Sequence, residues 1–267
     1  MQFSRPALDI GIASRNAAAA RAFYQDVFGF TPLPDVSLGV LGTELCARFA
    51  GHTVRFYDFT QPPEATEGGT EKANGIRLLA FILDDLDGVL ARMKERSHPF
   101  RMLPLPEQTP YRVAFSNDAD GNALELVGLR QPAGPQLAIR MQIGLTVSDI
   151  ARSRHFYGEL LGLPEEPEMK LPASMGVVGN TRYGFRAGGT TIKFWSRGAL
   201  PTWSGAPGKR TGLRMITAFV DDVDAVHDLL RGRGVPIKIP PQDFGNVARM
   251  MIAADPDNNW IEFAKQL

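Results

Sequence analysis

Histidine and cysteine are scarce in this chain of 267 residues, which holds four of the first and one of the second. The single thiol, Cys46, excludes an internal disulfide framework and a cysteine-rich zinc site, and it suits a reducing compartment. Lying in an apolar stretch, it reads as core filler rather than nucleophile. An excess of charge is also missing, since Lys+Arg and Asp+Glu both total 29. Without a global field, nucleic acid and acidic membrane surfaces are not expected partners. No segment approaches the roughly 20 apolar residues that span a bilayer. The opening MQFSRPALDIGIAS has no basic region followed by an apolar run. The expectation is a cytoplasmic protein whose 44% hydrophobic content fills about two domain cores.

What is present is a repeat. Residues 10–30, IGIASRNAAAARAFYQDVFGF, align without gaps on residues 143–163, IGLTVSDIARSRHFYGELLGL, at an offset of 133. AFILDDLDGVLARM from Ala80 aligns on TAFVDDVDAVHDLL from Thr217 at an offset of 137, which also carries DADGNALEL from Asp118 onto DPDNNWIEF from Asp255. Each block opens with a β-prone run, Leu8 to Ala13 or Ile143 to Val147, then a cap candidate, Asn16 or Ser148 with Asp149. An amphipathic helix follows, with Ala19, Phe23, Val27 and Phe28 at core spacings and Gly29 to end it. Further strands are expected near Leu38–Phe49 and Thr53–Phe59, and near Ser174–Phe185 and Thr190–Ser196. The pattern restarts at Ile76 and Leu213 and closes on a tight Asp-x-Asp turn before a last strand. Four βαβββ units result, over about 7–60, 76–129, 138–196 and 212–267. A Pro- and Gly-interrupted linker at 130–137 divides the chain into domains 1–129 and 138–267. Loops Gln61–Gly75 and Arg197–Gly212 match between the halves and are expected to fringe an opening.

The reiterated strand, Phe-Tyr helix and glycine, with the terminal Asp-Pro-Asp-Asn-Asn-Trp-Ile-Glu-Phe, resembles the vicinal oxygen chelate superfamily of glyoxalases, extradiol dioxygenases and bleomycin-resistance proteins. The resemblance covers nearly the whole chain and is strongest for the tandem layout of type I extradiol dioxygenases. It implies an α+β fold of two tandem domains, each a curled mixed β-sheet cup flanked by helices, with metal and substrate in the cup. Fold alone does not assign chemistry, so the cups must be read by residue.

The resemblance places four inward positions in each domain, on Asp9, Arg55, Leu78 and Glu125 in the N-terminal cup and on Gln142, Lys193, Met215 and Glu262 in the C-terminal one. A dioxygenase centre needs two imidazoles and a carboxylate. His52, His98, His155 and His227 fall in turns or helices instead, and Leu78 and Met215 offer nothing to a hard divalent ion. No cofactor is therefore expected. The alternative is a divalent metal (Fe, Mn, Ni, Zn or Mg) on Asp9, Glu125, Gln142 and Glu262. Without metal, Arg55 is expected to bridge Asp9 and Glu125, and Lys193 to neutralise Glu262. Lys193 and Glu262 are then the candidate acid, base or anion anchor. Strand alternation extends the C-terminal pocket from Gln142 and Met215 to Thr146, Thr217 and Phe219. Trp195 would stack on a ligand, Trp260 would pack, and Arg249, the counterpart of Arg112, would either meet a ligand carboxylate or form a salt bridge on the sheet rim. Leu78 marks the N-terminal domain as the better scaffold. The function implied is binding or transformation of a small, partly hydrophobic organic molecule without a catalytic metal. The alternative is a metal-dependent glyoxalase-type lyase or ring-cleaving dioxygenase, and a homodimer stays open.

Overall fold

The computed structural model describes residues 2–130 and 140–267, so the linker expected at 130–137 lies, Arg130 excepted, outside the described residues. The first module contains β1 (Asp9–Ala13), α1 (Ala17–Phe28), short β2 (Thr31–Pro32) and β3 (Val36–Ser37), then β4 (Gly42–Phe49) and β5 (His52–Phe59). The second contains β6 (Gly75–Leu83), α2 (Leu86–Glu95), β7 (Phe100–Met102), β8 (Tyr111–Asn117) and β9 (Ala123–Leu129). In the third, β10 (Arg140–Thr146) leads to α3 (Ile150–Arg154), which runs on as a π turn over His155–Leu160, and then to β11 (Glu165–Lys170), β12 (Thr181–Ala187) and β13 (Thr190–Trp195). The fourth has β14 (Gly212–Phe219), α4 (Val223–Gly232), β15 (Ile237–Phe244), β16 (Ala248–Ala254) and β17 (Trp260–Gln266). No described helix is long and apolar enough to cross a membrane.

The Asn16 side chain caps α1 by accepting the Ala19 N–H, and Asp149 does the same for Arg152. Gly29 ends α1 in the left-handed region at φ 73°. The buried stripe is turned from the expected one: Ala17, Ala20, Tyr24, Val27 and Phe28 are buried, while Ala19 is exposed and Phe23 half-buried. Two strands also start late. The one expected from Leu38 begins at Gly42 and the one expected from Ser174 begins at Thr181, because Gly39, Gly176 and Gly179 before them adopt a left-handed φ that an extended chain does not.

The strands form two open mixed sheets. One runs β15-β16-β17-β14-β1-β5-β4-β2, with β3 beside β4, and the other β11-β12-β13-β10-β6-β9-β8-β7. Four modules, two curled sheets and flanking helices stand as expected, but neither domain closes a cup by itself. Modules one and four share the first sheet, and modules two and three share the second. Their leading strands meet antiparallel, β1 on β14 and β6 on β10, and both pairs slip register at matching places, after Gly11 and after Gly144. Such bulges add twist and help a sheet to curl.

The crossover segments accompany this exchange of partners. Residues 61–74 and 197–211 carry the chain from one sheet to the other and clasp each other. Glu64 bridges to Arg210 and Asn74 to Thr202, while the Thr66 N–H and hydroxyl donate to the Thr211 hydroxyl and carbonyl at 2.9 and 2.8 Å. Arg77 and Arg214, equivalent under the 137 offset, are buried and spend their guanidinium groups on loop carbonyls. Arg77 reaches Glu67 at 2.8 Å and Gly69 at 2.9 and 3.0 Å, and Arg214 reaches Arg210, Trp203 and Thr211.

The apolar layer lies between the sheets. Phe81 on β6 stacks on Phe28 of α1 at 4.7 Å, although the strands of α1's module lie in the other sheet. Tyr24 crosses the same layer to donate to Asp118 at 2.8 Å, and Tyr157 donates to Asp255 at 2.9 Å. One Asp118 oxygen takes the Tyr24 hydroxyl and the Asn122 side chain, and the other takes the N–H groups of Asp120 and Asn122. The repeated Phe-Tyr and Asp-x-Asp motifs are thus two ends of one link. His52 is structural as well: its ring meets the Leu8 carbonyl at 2.7 Å and the Met141 N–H at 3.3 Å, joining the two domains.

Replacing Tyr24 or Tyr157 by Phe leaves a buried carboxylate one donor short, and we expect each to cost about 1–3 kcal/mol in urea unfolding. Burial pushes the Asp118 and Asp255 carboxyls up to about 6 against the pull of their donors. A raised folded pKa favours the protonated native state, so this contribution is present at low pH and is lost as pH rises through about 6. The double variant D118N/D255N should therefore show a flatter stability profile between about pH 4 and 6.

Candidate functional site

Each sheet turns its concave face away from the apolar layer and lines a large cup. The first cup, from modules one and four, encloses about 990 Å³, and the second, from modules two and three, about 1270 Å³. On β9 the alternation is clean: Leu124, Leu126 and Gly128 are buried, while half-buried Ala123, Glu125, Val127 and Leu129 face the second cup.

The eight positions singled out by sequence all reach a cup floor, but in different company. Asp9, Arg55, Met215 and Glu262 share the first cup, and Leu78, Glu125, Gln142 and Lys193 share the second. The ionic partners change accordingly. Arg55 donates to Glu262 at 2.9 Å, not to Glu125, and Lys193 binds Glu125, not Glu262. Glu262 and Lys193 therefore cannot act as one catalytic pair, and the N-terminal domain is no mere scaffold, since it supplies half of each cup. The common pattern is one polar residue, one cation, one apolar residue and one glutamate.

The first floor is crowded with carboxylates. Glu44 lies 3.7 Å from the Arg55 guanidinium, Thr217 donates to Glu262 at 2.6 Å, and the Thr53 N–H donates to Asp9 at 2.7 Å. Burial pushes Asp9 and Glu44 above the usual carboxylate range, outweighing the nearby Arg55. Beside them Cys46 is buried as expected and also borders the cup wall, and burial pushes its thiol up to about 12, which leaves it unreactive.

Each floor also carries an aromatic side chain laid over a glycine. A Cβ at Gly11 would fall 2.5 Å from the Tyr57 hydroxyl, and one at Gly144 would fall 3.0 Å from the Trp195 ring. Tyr57 and Trp195 hold equivalent places, two residues beyond Arg55 and Lys193. The Tyr57 hydroxyl and the Trp195 Nε1 are both buried without a hydrogen-bond partner. Buried polar groups are rarely left so, and an unpaired one in a cleft calls for an explanation.

Other expectations divide. Met215 and Phe219 line the first cup, and Gln142 and Trp195 the second. Thr217 serves Glu262, and Thr146 donates to the Thr70 carbonyl at 2.7 Å, so both brace the walls. Arg249 is not a pocket residue: it binds Asp224 of α4 and Asp243 of β15, as Arg112 binds Asp87 of α2. Trp260, expected only to pack, lines the first cup with Met215 and Ile252. Sequence reasoning missed Glu44, Arg140, Arg182, Arg186 and Glu166; inward alternation through Glu44, Cys46 and Arg48 on β4 was the available signal for the first of these. The crossover loops do reach the rims, through Gly69 to Glu71 in the second cup and Ala206 to Gly208 in the first.

A family model for the Glyoxalase/Bleomycin resistance protein/Dioxygenase superfamily matches residues 8–126 and 140–263. The chain belongs to that superfamily. Uncharacterized protein YaeR of Escherichia coli is 30% identical over 119 residues, 44% of this chain and 91% of its own. Uncharacterized protein YraH of Bacillus subtilis is 32% identical over 136 residues, 48% of this chain and 98% of its own. The crystal structure of glyoxalase I from Zea mays superposes with a TM-score of 0.71 over 99% of this chain and 92% of the other, at 17% identity, a likeness of fold. The metal chemistry that this superfamily implies does not fit the donors here. Among the described residues no three His, Cys, Asp or Glu side chains are disposed to hold an ion. In each cup the carboxylate that would serve as ligand is bonded to Arg55 or Lys193, and a cation there repels a second cation.

Removing one partner of a buried ion pair strands the other, so Lys193→Met should cost about 3–5 kcal/mol in chemical denaturation, while K193M/E125L should recover most of the loss. Glu44→Gln should stabilise the protein at neutral pH, with the gain shrinking as pH falls. The raised native pKa of Glu44 means that its ionised form is the strained one.

Proposed function

We propose that this superfamily member binds a small, partly hydrophobic organic molecule in its cups without a catalytic metal. One observation supports the reading: on both cup floors an arginine or lysine is bonded to glutamate, beside an aromatic group whose polar atom has no partner. Apolar walls around a few convergent polar groups are what a pocket for a compact organic ligand requires. In the second cup those walls are Leu78, Val177, Leu171, Met175 and Trp195, and in the first Tyr57, Ile252, Met250 and Trp260. Any chemistry would fall to the first cup, where Asp9 and Glu44 have raised carboxyl pKa values beside a fixed guanidinium. That pairing suits a proton donor next to an anion anchor.

Two measurements test this. Protein purified without chelators should carry no stoichiometric Fe, Mn, Ni, Zn or Mg; bound metal lost together with activity in Glu262→Gln would replace our reading by the metal-dependent lyase or dioxygenase. A thermal-shift screen of small aromatic and amphipathic compounds should find ligands that raise the melting temperature. One present at 100 times its Kd adds about 2.7 kcal/mol of stability.

A further inference from the structure

The two cups descend from one repeat, yet their charges differ. Six basic side chains, Arg101, Arg140, Arg182, Arg186, Lys193 and Arg197, line the second cup against three acidic ones, Glu71, Glu125 and Glu166. In the first, Arg5, Arg48 and Arg55 face Asp9, Glu44 and Glu262. Register traces the divergence to single positions. Cys46 pairs with Arg55 as Gly184 pairs with Lys193, so two residues back Glu44 of the first cup stands where Arg182 stands in the second. Ile239 lies across from Ile252, which pairs with Glu262, just as Arg101 lies across from Phe115, which pairs with Glu125. Ala7 precedes Asp9 by two residues where Arg140 precedes Gln142. Each exchange makes the second cup more positive.

The basic groups are only partly neutralised from within. Lys193 is bound to Glu125, and Arg186 to Glu166 at 2.5 Å. Among the described residues, Arg101, Arg140, Arg182 and Arg197 have no carboxylate within ion-pair distance. The orphaned polar atoms point the same way. Four residues lining this cup each hold a buried polar atom without a hydrogen-bond partner: Nε of Arg140, Arg182 and Arg197, and Nε1 of Trp195. All four are N–H donors. No unpartnered buried acceptor lines the cup among the described residues. An N–H group left dry costs its full desolvation, so the complementary occupant must bring acceptors. The floor around them is apolar, with Leu78, Ala80 and Trp195 at its centre.

We propose that the second cup is a site for an amphipathic organic anion, an aromatic or apolar body bearing a carboxylate, sulfonate or similar group, and that the first cup is not. This rests on the small-molecule reading above and assigns the ligand class to one of the two cups. The body lies against Trp195 and the apolar walls, and the anionic oxygens take the free N–H groups of Trp195, Arg140 and Arg182.

Titration calorimetry with three probes of one shape tests the assignment: 2-naphthoate, neutral 2-naphthol and the 2-naphthylmethylammonium cation. Naphthoate should bind at least about tenfold tighter than naphthol, the margin expected of one charge-assisted hydrogen bond. The margin should shrink with added salt. It should vanish in R140M/R182M, fall in Trp195→Phe, which keeps the aromatic surface but removes the donor, and persist in Arg249→Met on the outer face. If naphthol or the cation binds as tightly as naphthoate, or if R140M/R182M keeps the margin with native folding by circular dichroism, the anion assignment is wrong while small-molecule binding stands. If no probe binds or raises the melting temperature, both readings fail.

Discussion

The antiparallel contact between leading strands, β1 on β14 and β6 on β10, is the constraint on which the rest of the molecule depends. It sets Asp9 and Arg55 before Glu262, and Gln142 and Lys193 before Glu125. Its bulges sit at Gly11 and Gly144, the residues whose missing side chains let Tyr57 and Trp195 lie across the floors. Curvature, floor space and charge pairing therefore come from the same few residues of two central strands.

Holding an ion pair on a cup floor is an expensive arrangement in bare stability terms, because two charges leave water for a modest Coulomb return. A fully apolar floor would fold as well. What the pair supplies is a fixed dipole in a partly dry place, with the cation and carboxylate already oriented and no reorganisation needed when a polar ligand arrives. The two floors spend this differently. Arg55 is surrounded by three carboxylates, whereas Lys193 has one and sits beneath a rim of arginines.

Much of the architecture was legible in the sequence, for identifiable reasons. Helix caps, the ending at Gly29 and the four modules follow from local chemistry repeated at fixed offsets, and the eight inward positions that line the cups came from the family resemblance. Module partnership was not legible. Every module presents the same periodicity, and either pairing sets a cation opposite a glutamate, so Arg55 would suit Glu125 as well as Glu262. Arg77, Arg214 and the threonines of the crossover clasp brace the observed pairing, and bonds of this kind to loop backbone leave no pattern in sequence. The turn of α1 toward Tyr24 was hidden for a related reason: a phenol is worth burying only once its partner, Asp118, is known to lie 94 residues away.

Each cup takes one wall from either side of the boundary between the repeated halves. A chain made of one such half would own two incomplete walls and no enclosure, and would need a second copy to make a cup. Joining the halves in one chain removes that need and also removes the obligation to keep the two enclosures alike. Once the copies are covalently tied, a residue such as Glu44 can change sign relative to its counterpart without altering the other pocket, and a formerly symmetric pair of sites becomes free to hold two different molecules.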